Sequence, residues 1–212
     1  MNNKKKWMPV REHKGKSILD FLDNYVVVDL ETTGLDPIYD EIIEIAAVRV
    51  ENNLIVDEYK SFVKPVQPIS DFITDLTGIT NDMIKNAPPI SEVLPEFLSF
   101  VGNTVVVAHN ANFNINFIYD NCLKLNPAVY FKNDYLDTMR LSRRLFKNII
   151  RHRLIDLVEL FDIEGEITHR AISNVINTKN CYEHMIDYIN KHNIEFRFIK
   201  KYKIKVGLSA MA

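Results

Sequence analysis

The sequence predicts an α/β fold, a five-stranded mixed sheet flanked by helices, and three observations carry that expectation. Three short apolar runs rich in β-branched residues fill the segment up to residue 63. After Pro65 and Pro68 the apolar positions change to helical spacing. Two further apolar runs, at 104–108 and 135–136, stand between the helical segments.

Each element follows in order. Tyr25 to Leu30 (YVVVDL) reads as a buried strand that ends in the turn signal Glu31-Thr32-Thr33-Gly34, extended by Asp36-Pro37. Ile42 to Val50 and Ile55 to Val63 read as two more strands, with Asn52-Asn53 as the hairpin turn between them. The three strands are expected to form an antiparallel meander. Thr80 can cap a short helix through Met83 and Ile84, and Ser91 can cap a helix that ends at Gly102-Asn103. Thr104 to Ala108 is the fourth strand and a helix from about Asn112 to Leu125 follows it. Tyr135-Leu136 is the fifth strand. Helices are then expected at Asp137 to Phe146, Leu154 to Phe161 and about His169 to Ile189. On the helix from Asp137, Arg140, Arg143, Arg144 and Lys147 cluster and are expected to be mostly exposed to solvent.

Composition narrows the class. With 212 residues, 47% hydrophobic and 25% charged, the chain fits one globular domain with extensions. Cys122 and Cys181 lie far apart without CxxC spacing and read as reduced thiols. No run has the length of a membrane span and no apolar signal segment follows the basic start, so a soluble, cytoplasmic protein is expected. Residues 1–16 and 191–212 each carry six Lys/Arg and one Glu, so each end is +5 and the centre holds −12 of the overall −2. The chain therefore divides into a basic N-terminal extension (1–24), a central domain (25–190) and a basic C-terminal tail (191–212). An acidic centre suits a metal site, and basic ends suit either a nucleic-acid backbone or simple solubility.

Three groups of residues carry chemistry. Asp29 and Glu31 alternate with Leu30, so both point to one side of a hydrophobic strand. Two carboxylates there need a counter-charge, and a divalent cation or plain access to water answers that need. The run Ala108-His109-Asn110-Ala111-Asn112-Phe113-Asn114 turns a strand into a helix, a place where polar side chains gather at a cleft. His109 there is either a ligand or, the favoured reading, a residue that orients the turn by hydrogen bonds. In Thr168-His169-Arg170-Ala171-Ile172-Ser173-Asn174, His169 and Asn174 lie on roughly one side of a helix. Beside a metal site His169 suits a general base; alone it reads as structural.

Taken together, VVVDLETTGL (26–35), AHNANFNINF (108–117) and HRAISN (169–174) resemble the DEDDh 3′→5′ exonuclease family, which includes the proofreading subunits and domains of bacterial DNA polymerase III. LTGIT (76–80) and LDTMRLSRRLF (136–146) also look like the family, and the match spans about residues 25–190. The resemblance implies a ribonuclease H-like fold and two Mg²⁺ or Mn²⁺ ions that generate hydroxide and stabilise the leaving 3′-oxygen. It implies that Asp29, Glu31, Asn114 and Asn174 occupy the metal positions and that His169 is the base. Thr32, Thr33, Gly34, Leu35, His109, Asn110 and Phe113 would meet the terminal nucleotide. DNA is the implied substrate, with RNA as the alternative, and a polymerase is an implied partner.

The chain departs from the family at two of four acids, since Asn114 and Asn174 stand where the motifs have aspartate. Asparagine keeps one ligand oxygen and loses the charge. The expectation is an exonuclease with impaired turnover; the alternative is a silent module that binds nucleic-acid ends or a polymerase.

Overall fold

A computed structural model of the chain describes residues 10–164 and 170–195. Six strands and seven helices are found among them: β1 (Ser17–Ile18), β2 (Asn24–Thr32), β3 (Ile42–Glu51), β4 (Leu54–Phe62), α1 (Asp71–Thr77), α2 (Asn81–Ile84), α3 (Ile90–Val101), β5 (Val106–Ala108), α4 (Ala111–Leu125), β6 (Tyr135–Asp137), α5 (Thr138–Leu145), α6 (Leu154–Leu160) and α7 (Ala171–Lys191). The sheet runs β1-β6-β5-β2-β3-β4. β2, β3 and β4 form the expected antiparallel meander, while β5 and β6 join β2 in parallel. Asn52 and Asn53 both have positive φ, as a tight hairpin with right-handed twist requires.

The two faces of β2 sort the core. Val26, Val28 and Leu30 pack with Phe97, Ile115 and Phe117 under α3 and α4. Tyr25 and Val27 pack with Leu141, Val175, Tyr182 and Met185 under α5 and α7. By alternation Asp29 and Glu31 continue this second face, toward α7.

Two expectations are corrected. The sheet has six strands, not five, because Ser17 and Ile18 pair in parallel with Tyr135 and Leu136 at the sheet edge. Part of the basic extension is thus docked. Arg11 forms a two-pronged bond to the Asp120 carboxylate of α4, with Nε to Oδ1 at 2.7 Å, and Lys14 Nζ reaches Asn112 and Asn116 at 3.1 and 3.0 Å. Gly15 passes so close to the Asn133 carbonyl that a Cβ would overlap it. Secondly, α3 begins at Ile90 after Pro89, so Ser91 lies inside the helix and not at its cap. Proline at the cap position has the extended backbone needed before a helix and lacks only an N–H. Thr80 does cap α2, accepting the Met83 N–H at 3.3 Å.

Candidate active site

The C-terminal end of β2 carries the acids. Asp29 and Glu31 are half-buried, and a register shift follows between Glu31 and Thr32 as the strand leaves the sheet. Two helix N-termini converge on them. From α4, Asn114 is buried and donates its Nδ2 to Asp29 Oδ1 at 3.5 Å and to the His109 carbonyl at 3.3 Å. From α7, Asn174 donates its Nδ2 to Asp29 Oδ2 at 3.0 Å and to Glu31 Oε1 at 3.3 Å. Four of the five expected metal-site and base residues therefore meet in one cluster. The fifth, His169, lies outside the described residues.

Electrostatics follow from burial. Removal from water pushes the Asp29 carboxyl up to about 7, against the pull of the Asn174 and Asn114 hydrogen bonds. Burial likewise raises Glu31 to about 8, with added repulsion from Asp29 and Glu44. The cluster binds protons readily, which is the signature of carboxylates short of positive charge. Asn114 supplies a second sign. Both groups its amide faces are acceptors, so Nδ2 must point to them, and Oδ1 is left inside the protein with no hydrogen-bond partner. A hard cation or a water would satisfy that oxygen. Asp29 and Glu31 are hard oxygen donors of the kind a divalent cation takes, whereas Asn114 and Asn174 turn their Nδ2 groups to these acids and would each have to turn over to offer an oxygen, leaving half the negative charge that four acids would give. Among the described residues, no group of three or more His, Cys, Asp or Glu side chains is arranged to hold an ion.

The turn after the acids is tightly built. Thr32 Oγ1 donates to the Gly34 carbonyl at 2.6 Å, and Thr33 pairs with Glu41 through both its N–H (2.9 Å) and its hydroxyl, which accepts the Glu41 N–H (2.9 Å). A Cβ at Gly34 would strike the Asp40 carboxylate, which is fixed by the Asp36 N–H at 2.7 Å. Leu35 then projects outward, 85% exposed. Phe113 is half-buried, its ring 4.9 Å from that of Phe117.

His109 has a different place. Its Nε2 faces the His152 carbonyl at 2.9 Å and so carries the proton, while Nδ1 accepts from the Thr138 hydroxyl at 3.0 Å. Burial holds its pKa down to about 4. Both ring nitrogens are committed to protein groups, in keeping with the orienting role. Asn110 is exposed, with φ of 54° at the N-cap of α4.

Sequence reasoning passed over Glu44 and the role of Arg170. Glu44 pairs in register with Glu31 and is 4% exposed. Arg170 binds it through Nε (3.2 Å) and Nη2 (2.6 Å), and the Ala171 N–H adds a third bond at 3.2 Å. The signal was a lone carboxylate within the uniformly apolar run IIEIAAV, since a buried acid requires a partner.

Comparison with known proteins decides the family. Residues 26–182 match the RNase_T exonuclease model. This chain belongs to the RNase_T exonuclease family. The DEDDh resemblance drawn from the three motifs agrees with that membership. Over 181 residues the chain is 44% identical to the PolC-type DNA polymerase III of Caldanaerobacter subterraneus subsp. tengcongensis, covering 85% of this chain and 13% of that protein. It is 43% identical over 150 residues to the PolC-type DNA polymerase III of Bacillus subtilis, covering 71% of this chain and 10% of the relative. The chain thus spans about an eighth or less of the curated relatives it matches.

Among solved structures, exonuclease X in complex with 5′-overhanging duplex DNA superposes with a TM-score of 0.63 at 26% identity, covering 82% of this chain and 96% of that one. A 3′-exonuclease of histone mRNA stem-loop 3′ ends superposes with a TM-score of 0.67 at 20% identity, covering 82% and 66%, and supports the fold alone. The fold is that of the ribonuclease H-like exonucleases, and among the described residues no helix is long and apolar enough to cross a membrane.

Proposed function

We propose that this chain is a 3′→5′ exonuclease domain for DNA 3′ ends, in a setting like that of the PolC-type polymerases, with turnover impaired by Asn114 and Asn174. The observation that carries the reading is the convergence of both asparagine amides on Asp29. Asp29 and Glu31 would hold Mg²⁺ or Mn²⁺, and Asn114 and Asn174 would each offer one neutral oxygen. A bound divalent ion supplies activation of water and neutralisation of charge on the phosphate. The chain's own residues do the rest. Burial favours the protonated forms of Asp29 and Glu31, and a cation beside them would favour the charged forms. His169 takes the role of base by motif position. The backbone of Thr32, Thr33 and Gly34 orients the terminal nucleotide, with Leu35 and Phe113 against its base or sugar in a sequence-independent manner.

Impairment follows from charge. The Asn174 Nδ2 lies between Asp29 and Glu31 and donates to both, so a neutral amide partly fills the role of a counter-cation. That same bridge favours a second reading, a silent module that retains nucleic-acid ends without cleaving them. The two readings separate in one experiment. The unsubstituted chain and its Asn114→Asp, Asn174→Asp form are incubated with a labelled single-stranded DNA in Mg²⁺ and in Mn²⁺, and cleavage and binding are both measured. Slow shortening from the 3′ end that the aspartates accelerate supports the exonuclease. Binding without cleavage by either form would leave only the silent module.

A further inference from the structure

We propose that Glu44 and Arg170 are a positioning pair: Glu44 holds the Arg170 guanidinium away from Glu31 and fixes the first turn of α7, so that position 174 meets Asp29 and Glu31. Its functional consequence rests on the reading of those residues as the metal cluster.

Glu31 and Glu44 sit opposite one another on β2 and β3. Two carboxylates on neighbouring strands compete for one guanidinium. Arg170 engages Glu44 through two nitrogens, the planar geometry that arginine and carboxylate share. Its guanidinium also lies 5.0 Å over the ring of Phe62, the residue that pairs with Glu44 from β4. A ring on one strand and a carboxylate on the next thus fix its direction. Arg170 still acts on Glu31 through space.

The same carboxylate reaches the backbone of α7. Glu44 Oε2 accepts the Ala171 N–H, one of the N–H groups a helix start leaves unpaired, and it places negative charge at the positive end of the helix. One turn on, the Asn174 N–H donates to the Arg170 carbonyl at 3.1 Å, and the Asn174 side chain reaches both acids. A helix whose first turn moves by about an ångström carries position 174 out of hydrogen-bond range, a displacement large enough to matter at a reacting centre.

Docking α7 does not need the pair. Val175, Tyr182, Met185 and Ile189 already bury the helix against the sheet. A partly buried ion pair adds little net stability but imposes geometry strongly, and this one stands at the end of α7 that bears position 174.

The test reads the Asn174 side-chain amide by NMR in the full chain, with the resonance assigned by its loss in Asn174→Asp. It needs neither metal nor turnover, so it stands apart from the cleavage assay. In Glu44→Gln the guanidinium turns to Glu31 and competes with the amide. The resonance should shift, and its protons should exchange with water about tenfold faster, the scale of one hydrogen bond. In Glu44→Gln, Arg170→Gln the competitor is gone and the amide should return toward its original position and exchange rate. A merely structural pair would give the opposite order, with the double variant at least as perturbed. If Glu44→Gln fails to fold, Arg170→Lys, which keeps the charge and loses the two-pronged geometry, should shift the resonance in the same direction. An unchanged amide in a folded single variant, or no recovery in the double, would overturn the proposal.

Discussion

At the start of α7 two acidic sites lie side by side and are neutralised differently. Glu44 has its counter-charge built in, with Arg170 and the Ala171 N–H on its carboxylate. Among the described residues, the side-chain hydrogen bonds to Asp29 and Glu31, a strand away, come from neutral amides, with Arg170 acting on Glu31 at a distance, and both carboxyls are pushed up toward neutral pH by burial. The first site is complete as a piece of protein. The second has no cationic side chain hydrogen-bonded to it among the described residues. On the proposed reading, charge that the fold needs is paired internally, and charge kept for chemistry is left to an exchangeable partner.

The largest effect expected from altering this contrast is on cleavage. Asn114→Asp with Asn174→Asp doubles the acids of the unpaired site and leaves Glu44 untouched. Turnover on a labelled single strand should rise at least about a hundredfold, while affinity for a 3′ end should change far less, because other residues hold the strand. Equal rates at matched Mg²⁺ would mean that the two positions do not govern the site.

The next effect is on stability, and it concerns the paired site. Glu44→Ala leaves Arg170 and the Ala171 N–H without their acceptor and should cost about 2 kcal/mol, measured by denaturant unfolding. Asp29→Asn should cost less in the absence of metal, since it removes a buried carboxylate and keeps the shape, although its NH₂ would meet one of the two amides that donate to Asp29. If both variants lost equal stability, the two sites would not differ in the way described.

The pH dependence comes third. Asp29 and Glu31 have folded pKa values of about 7 and about 8, above the ordinary carboxylate range. The folded state therefore holds protons that the unfolded state has released. Their contribution is fully present below about pH 4 and is lost as pH rises from there to about 8. His109 acts with the opposite slope: its pKa near 4 favours the folded state above about pH 6.5 and is lost as pH falls. Melting temperature in EDTA, compared between the unsubstituted chain and an Asp29→Asn, Glu31→Gln form, isolates the acids. The unsubstituted chain should fall behind as pH rises, and Mn²⁺ should close the gap. A gap that does not change with pH would sink the account.

The sequence made some of this arrangement legible. Alternation placed Asp29 and Glu31 on one face, and β-branched runs marked the meander. Asn52-Asn53 and Thr80 announced their turn and cap because those signals are local. The missed features are set by tertiary register. β1 is a two-residue strand whose pairing depends on where Lys16 meets Tyr135, which no periodicity records; its carbonyl accepts the Tyr135 N–H at 2.9 Å. Glu44 stands out as a lone carboxylate in an apolar run, but its partners on α7 lie far away in sequence. The docking of Arg11 and Lys14 on α4 was hidden for the same reason, since a basic segment looks alike whether solvated or paired.

The smallest expected effect concerns the basic cluster at α5, expected to be mostly exposed and found to be half so. On α5 Arg143 is exposed, as is Lys147 just past the helix end, whereas Arg140 and Arg144 are half-buried, with Arg140 Nη1 donating to Ser17 Oγ at 2.8 Å. Arg140 thus helps to seat β1 and is partly committed to the fold, as Arg170 is. Exposed cations are the better candidates for binding phosphate, because a strand can reach them from solvent. Arg143→Gln with Lys147→Gln should weaken single-strand binding modestly and lower the slope of log affinity against log salt by about 0.7 for each phosphate left without its cation. Arg140→Gln should instead lower thermal stability through the β1 edge and leave the salt slope nearly unchanged. Were Arg140→Gln to flatten the slope as much as the exposed pair, α5 would present all its cations to nucleic acid, and the division between structural and exchangeable charge would fail on this helix.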